Sequence, residues 1–166
     1  PAVEWDKSWL SWEDMRRTAM RVTSLLDEAG VPSGAPVAMV PRNRPAAVAA
    51  LVALIARGHT ICMIHVYQSA AGIARDIARL RPAALVTTDE DISDEVREAL
   101  REQDMTGVVL SGMDAQFMPG CERCDARFDR APSPRIEVLT SGTTGKPRQF
   151  TLTFELIARD MVGMNA

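Results

Sequence analysis

Residues 37–64 have the sequence VAMVPRNRPAAVAALVALIARGHTICMI, in which two short apolar stretches flank an alanine-rich segment. Val37-Ala-Met-Val40 and Ile61-Cys-Met-Ile64 are continuous apolar stretches, a pattern typical of strands that are buried on both faces. Between them, Pro45 is a residue favoured at the first position of a helix, and Gly58 follows the alanine-rich segment. These residues therefore predict a strand, a helix and a second strand.

The same alternation continues on both sides of this unit. Upstream, Ser11 and Asp14 have the spacing of a capping box at the start of an amphipathic helix, which Gly30 ends. Downstream, Ser69 and Ser93 can each cap a further helix. Short apolar stretches predict three more strands, at residues 84–87, 108–110 and 136–140.

Strands that alternate with helices in this way are typical of right-handed strand-helix-strand units. We therefore expect an α/β fold, a mainly parallel sheet with helices on both faces. Residues 115–135, rich in Pro, Arg and Cys, predict an irregular connection between the last two strands. Ligands of such sheets bind at the carboxyl ends of the strands, which is where we look for a site.

The composition of the chain argues against two classes of partner, nucleic acids and membranes. The chain has 166 residues, of which 46% are hydrophobic and 25% charged, as in one globular domain. Its net charge of -3 gives no basic surface for nucleic acid or an anionic membrane. The longest apolar stretch, residues 46–56, is shorter than the about 20 residues that cross a bilayer. An odd number of cysteines, three, favours a reducing compartment. We expect a cytoplasmic protein without nucleic acid or membrane partners.

One strand is followed by a segment suited to a phosphate. Thr140-Ser-Gly-Thr-Thr-Gly-Lys-Pro-Arg148 contains almost only small, hydroxylic or basic residues. Its backbone N–H groups, hydroxyls and positive charges are the donors that a polyphosphate needs. The segment is not a Walker A motif, because only two residues separate Gly142 from Gly145 and Pro147 follows Lys146. A turn rich in small residues, without a ligand, is the alternative interpretation.

The segment at 140–148 resembles the Ser/Thr/Gly-rich phosphate loop of the adenylate-forming superfamily, which includes acyl-CoA synthetases, peptide-synthetase adenylation domains and luciferases. Leu10-Ser-Trp-Glu-Asp14, the segment from Gly34 to Pro45 and the segment from Arg81 to Asp89 resemble family sequences in the same order and spacing. The resemblance covers essentially the whole chain. It implies that residues 1–166 are an incomplete amino-terminal portion of the family's core domain.

What the resemblance implies is an ATP-dependent ligase of the AMP-forming acyl-CoA synthetase type. Such an enzyme converts a small carboxylic acid to an acyl adenylate and then transfers the acyl group to a thiol, here expected to be coenzyme A. Mg²⁺ would be held by residues outside this chain, no catalytic residue is assigned, and the chain alone is expected to be inactive and to self-associate through exposed core surface. The implied ATP-binding residues are Thr140, Ser141, Gly142, Thr143, Thr144, Gly145, Lys146 and Arg148.

The chain departs from the family pattern at three places. Arg148 and Gln149 stand where the family usually has Lys and Gly, and Ile64-His-Val-Tyr67 replaces a Pro-Leu-Asp type of sequence. His65 therefore inherits no family role and is predicted to be a hydrogen-bonded structural residue. The alternative function is a non-catalytic α/β binding or regulatory domain.

Two further groups of residues could hold a metal, and we predict that neither does. Cys121-Glu-Arg-Cys124 is half of a zinc-site spacing and is interpreted as two surface thiols. Asp89-Glu-Asp91 and Asp94-Glu95 are interpreted as solvated acids at helix starts, where negative charge is favourable.

Overall fold

The structure is a computed structural model, and it describes residues 1–129, 131, 133–140 and 148–163, without the side chains of residues 139, 140, 148, 149 and 161–163. A short 3-10 turn is present at Asp89–Asp91. The helices and strands within these residues are, in chain order, β1 (Val3–Trp5), β2 (Ser8–Leu10), α1 (Trp12–Glu28), β3 (Pro36–Met39), α2 (Pro45–Ala56), β4 (Thr60–Met63), α3 (Ala70–Leu80), β5 (Ala84–Thr88), α4 (Asp94–Arg101), β6 (Thr106–Ser111), β7 (Asp114–Phe117), β8 (Arg135–Thr140), β9 (Arg148–Thr153) and α5 (Phe154–Gly163).

Seven strands form one sheet in the order β7-β6-β5-β3-β4-β8-β9. The five central strands are parallel, while β7 and β9 pair antiparallel with β6 and β8 at the two edges. β1 and β2 form a separate antiparallel hairpin. The predicted mainly parallel sheet is confirmed.

The predicted helix starts are also confirmed. The Ser11 hydroxyl accepts the Asp14 N–H at 3.1 Å, and Asp14 Oδ2 accepts the Ser11 N–H at 2.9 Å, which completes the capping box of α1. The hydroxyls of Ser69 and Ser93 each accept a backbone N–H in the first turn of α3 and α4, both at 3.2 Å. α2 begins at Pro45, as expected.

Helices cover both faces of the sheet because successive residues of each central strand point to opposite sides. Val37 and Met39 pack in a cluster with residues of α1 and α2, whereas Ala38 and Val40 pack with residues of α3 and α4. The strands are thus buried on both faces, which explains why they are continuously apolar.

Other expectations were wrong or incomplete. Residues 115–117 were predicted to be irregular, but they belong to β7, which pairs with β6. The β1-β2 hairpin was not predicted, and its two turn residues, Asp6 and Lys7, have φ of 47° and 60°. Such a turn normally carries Asn-Gly or Asp-Gly, so the sequence lacked the usual signal.

α2 is apolar around most of its circumference. Val48, Val52 and Ile55 remain exposed on its outer side, by 47%, 55% and 36%. Exposed apolar surface of this kind favours association, and self-association stays a prediction. No helix within the described residues is both long enough and apolar enough to cross a membrane.

The free energy of unfolding should fall as the pH drops below about 6.5, because of His59. This ring is 1% exposed, and Nδ1 lies 2.9 Å from the Ala35 carbonyl oxygen, to which it donates. Burial lowers the pKa of His59, so the unfolded chain takes up a proton at a higher pH than the folded protein. Well above pH 6.5 the ring is neutral in both the folded and the unfolded state, and the effect vanishes.

Urea unfolding between about pH 7.5 and 5.5 measures this dependence, since carboxylates contribute mainly at lower pH. The chain has two histidines, and the exposed His65 provides the control. His65→Gln should keep the slope of stability against pH, whereas His59→Gln should lose it. An unchanged slope in His59→Gln would show that another group is responsible.

Candidate phosphate-binding site

The segment predicted to bind phosphate connects two antiparallel strands. β8 and β9 pair along their length, and the Cα of Thr140 is opposite that of Arg148. The structure therefore brings the two ends of the predicted segment together. Residues 141–147 lie outside the described residues, so these predicted ligands are not placed: Ser141, Gly142, Thr143, Thr144, Gly145 and Lys146. Their phosphate-binding role stays a prediction.

The segment starts at the carboxyl edge of the parallel sheet. β8 runs parallel to β4, with Cys62 opposite Glu137 and Met63 opposite Val138. Thr140, the last residue of β8, therefore lies on the edge where β3, β4, β5 and β6 also end. This is the edge at which parallel sheets bind ligands.

The strands on either side of the segment are anchored in the core. Ile136 is opposite Leu152 and Val138 is opposite Phe150 in the register of β8 and β9. Ile136 is 9% exposed, and Val138 and Leu152 pack against the cluster that contains α2. The base of the segment is thus held by hydrophobic packing as well as by strand pairing.

A buried ion pair lies at the same edge of the sheet, between the ends of β3 and β5. Arg42 Nε is 3.2 Å from Asp91 Oδ2, and the hydroxyls of Thr87 and Thr88 lie 2.9 Å and 3.2 Å from the same oxygen. Asp91 is 6% exposed, and its carboxylate raises the pKa of Arg42. The prediction that Asp91 is solvated was wrong, because the side chains of Arg42, Thr87 and Thr88 donate hydrogen bonds to its carboxylate inside the protein.

Asp94, Glu95 and Glu90 are exposed acids near helix starts, as predicted. Asp94 and Glu95 lie in the first turn of α4, where the helix dipole favours negative charge. Glu90 is partly exposed and pairs with Arg44. Within the described residues, no three His, Cys, Asp or Glu side chains lie close enough to hold a metal ion together.

His65 is hydrogen-bonded, as predicted, and its ring is exposed. Its Nδ1 accepts the backbone N–H of Tyr67 at 3.3 Å, in the turn that follows β4. Because Nδ1 accepts, the neutral ring carries its proton on Nε2. The ring of Tyr67 lies 5.4 Å away, centroid to centroid.

The cysteines are less accessible than the sequence indicated. Cys121 is 4% exposed and Cys124 is partly buried, so the interpretation as two surface thiols was wrong. Burial raises the pKa of both thiols. The Sγ of Cys62 donates to Glu137 at 3.5 Å, and burial with this neighbouring carboxylate raises its pKa to about 12.

Cys62 should therefore be the slowest of the three thiols to react with a disulfide reagent in the folded protein, and Cys124 the fastest. Only the thiolate reacts, and Cys124 is the least buried of the three. Timed labelling followed by peptide mass spectrometry measures the order. In denaturant the order should disappear, and rapid native labelling of Cys62 would contradict the burial of its thiol.

Comparison with known proteins identifies the family. Residues 1–165 match the family model described as AMP-binding enzyme. The chain belongs to the AMP-binding enzyme family. This membership agrees with the resemblance of residues 140–148 and of the upstream segments, and it covers the strands on both sides of the predicted phosphate-binding segment.

Two curated proteins are similar to this AMP-binding family member. The medium/long-chain-fatty-acid-CoA ligase FadD6 of Mycobacterium tuberculosis is 26% identical over 148 residues, which are 87% of this chain and 25% of that protein. The hybrid PKS-NRPS synthetase phm1 of Pyrenochaetopsis sp is 26% identical over 144 residues, 87% of this chain and 4% of that protein. The chain thus spans a quarter or less of the length of these relatives.

Solved structures show the same fold. The O-succinylbenzoate coenzyme A synthetase MenE from Bacillus subtilis, in complex with AMP, superposes with a TM-score of 0.67 at 16% identity over 96% of this chain and 40% of that one. Apo MatB from Rhodopseudomonas palustris has a TM-score of 0.65 at 19% identity, over 92% and 31% of the two chains. The α/β fold of the AMP-binding family's amino-terminal region is therefore confirmed.

Proposed function

We propose that this chain supplies the phosphate-binding segment of an enzyme that activates a carboxylic acid with ATP. Family membership over residues 1–165 carries the proposal. The pairing of Thr140 with Arg148 at the carboxyl edge of the sheet supports it, because it sets both ends of the segment where ligands of parallel sheets bind.

The reaction is an attack of the substrate carboxylate on the α-phosphorus of ATP. A bond forms between a carboxylate oxygen and this phosphorus, the bond from the phosphorus to the bridging oxygen of the β-phosphate breaks, and pyrophosphate leaves with the electron pair. The segment's share is to hold the β- and γ-phosphates and to stabilise the charge that develops on pyrophosphate, through the hydroxyls of Thr143 and Thr144 and the charges of Lys146 and Arg148. No proton transfer by these residues is needed.

Mg²⁺ does not fit the residues of this segment. Residues 140–148 contain no carboxylate, and Mg²⁺ is usually held by one or two carboxylates together with the substrate phosphates. We therefore propose that the metal's protein ligands lie elsewhere in the enzyme, and no step of the mechanism passes through it.

The second half-reaction is proposed to be thioester formation with coenzyme A. The likeness to a fatty-acid-CoA ligase favours this acceptor and makes fatty acids the first substrates to test. The three free cysteines favour a reducing compartment, and we propose the cytoplasm.

Carboxylate-dependent exchange of labelled pyrophosphate into ATP tests the first step. The natural gene product that contains these residues should catalyse exchange with one class among fatty, aryl, short-chain and amino acids, and addition of coenzyme A should yield the thioester. Binding of ATP without exchange for any acid would instead favour the alternative, a non-catalytic α/β binding or regulatory domain. Exchange without thioester formation would keep the first step and reject coenzyme A.

A further inference from the structure

A cleft of about 590 Å³ opens at the amino edge of the sheet, opposite the edge that carries the predicted phosphate-binding segment. Its lining includes Pro36, Thr60 and Arg135, the first residues of β3, β4 and β8. The end of α3 and residues 127–129 form its other walls. A volume of this size accommodates a small molecule.

The cleft is positively charged although the whole chain is negative. Among the described residues, four arginines and two carboxylates line it, whereas the chain carries a net charge of -3. The lining arginines are Arg79, Arg81, Arg127 and Arg135, and the acids are Asp129 and Glu137. Because arginines outnumber carboxylates among these residues, the cleft attracts anionic ligands more than cationic ones.

Two of the arginines form ion pairs with protein carboxylates, and the other two form none with any residue that the structure describes. Arg79 pairs with Asp76 at 2.9 Å, and Arg135 Nε lies 2.6 Å from Glu137. Among the described residues, neither Arg81 nor Arg127 forms an ion pair. Their guanidinium groups keep donors for a ligand, and a guanidinium binds carboxylate or phosphate with two parallel hydrogen bonds.

Arg81 has an unusual backbone conformation at the rim of this cleft. It caps the carboxyl end of α3 with φ of 47° and ψ of 55°, a left-handed conformation in which glycine is favoured. An arginine in this position costs stability relative to glycine, so its side chain is a candidate for a role outside folding.

The floor of the cleft is polar rather than apolar. Thr60, Cys62, Arg135 and Glu137 alternate with apolar residues on β4 and β8, and they face the cleft. Phe128 adds an apolar contact on one wall, where it is partly buried. The surface is therefore suited to a charged ligand in water rather than to an apolar one.

We propose that this cleft is a second ligand site, for a small molecule that carries two or more negative charges on carboxylate or phosphate groups. Arg81 and Arg127 bind the anion, while Arg79 and Arg135 stay paired with Asp76 and Glu137. The site is separate from the segment at residues 140–148, because the two lie at opposite edges of the sheet.

Isothermal titration of the natural gene product that contains these residues, with citrate and, separately, with inorganic pyrophosphate, tests the proposal. The double variant Arg81→Gly and Arg127→Gln should bind about tenfold or more weakly, because charge-assisted hydrogen bonds to both groups are lost. Glycine suits the left-handed backbone at position 81, so this variant should remain folded, which circular dichroism checks. Citrate binding indicates a carboxylate ligand. Pyrophosphate binding indicates a phosphate ligand of the cleft only where it is retained in Lys146→Gln and weakened in the double variant.

Two control variants distinguish binding in this cleft from a general effect of charge and from binding at residues 140–148. Arg75→Gln removes one exposed charge from the same helix but outside the cleft, and it should leave the affinity within about twofold. Lys146→Gln alters the predicted ATP segment and should not change citrate binding. The proposal is overturned if neither anion binds more tightly than about 10 mM, or if Arg75→Gln weakens binding as much as the double variant. Neither result bears on pyrophosphate exchange.

Discussion

Replacement of both Thr143 and Thr144 by alanine should lower carboxylate-dependent ATP-pyrophosphate exchange by about 100-fold or more in the natural gene product. Hydroxyl donors aimed at charge that develops in a transition state typically contribute a factor of this size each. The melting temperature should change little, because the pairing of β8 with β9 joins residues 135–140 to residues 148–153 and does not include positions 143 and 144.

Thr151→Ala is the matched control for this prediction. Thr151 is an exposed residue of β9, opposite Glu137 in the register, and its removal also costs one threonine hydroxyl in the same hairpin. Exchange rates should therefore stay within about twofold of the parent in the control. If the parent and the Thr143 and Thr144 double variant exchange pyrophosphate at equal rates, the proposed phosphate-binding role of this segment is wrong.

Asp91→Ala should lower the free energy of unfolding by about 3 kcal/mol at neutral pH. The substitution leaves the partly buried Arg42 without its carboxylate, and the hydroxyls of Thr87 and Thr88 lose their acceptor. A largely buried charge without a partner is more costly than the pair is favourable. Equilibrium urea unfolding measures the loss.

The exposed pair between Arg44 and Glu90 gives the comparison for this effect. Both side chains are nearly half exposed, so Glu90→Ala should cost less than about 1 kcal/mol. Substituting Arg42 by methionine together with Asp91→Ala should recover part of the loss, because the charge that had no partner is gone. Similar losses in Asp91→Ala and Glu90→Ala would mean that the buried pair is not what stabilises this edge.

Local sequence signals predicted the starts of three helices and the positions of the central strands. Ser11, Ser69 and Ser93 each precede a helix because a short side-chain oxygen accepts the free N–H groups of the first turn, and this depends only on neighbouring residues. The continuous apolar residues of β3, β4 and β5, at 37–39, 61–63 and 84–86, are packed on both faces of the sheet. Such elements are predictable because the residues that form them also carry the sequence pattern that identifies them.

Features that depend on distant residues were not predictable. β7 has only one buried residue, Ala115, so it lacks an apolar stretch, and its strand character comes from pairing with β6. Asp91 has the composition of a solvated acid, and its burial depends on Arg42, which is 49 residues away in the chain. A pair of threonines at the end of β5, followed by an acid, was the only local signal of that polar cluster.

The pairing of Thr140 with Arg148 affects the entropic cost of binding a ligand to the residues between them. The entropy of bringing the two ends of this chain segment together is lost when the protein folds, so it would not weaken the proposed ATP binding. The more residue pairs of β8 and β9 stay hydrogen-bonded at a given temperature, the more firmly the two ends of the segment are therefore held together. Substitutions at Ile136 or Leu152, which lie within the β8-β9 pairing and outside the segment, would then act on the dissociation constant of the proposed ATP complex by fraying the hairpin from its base.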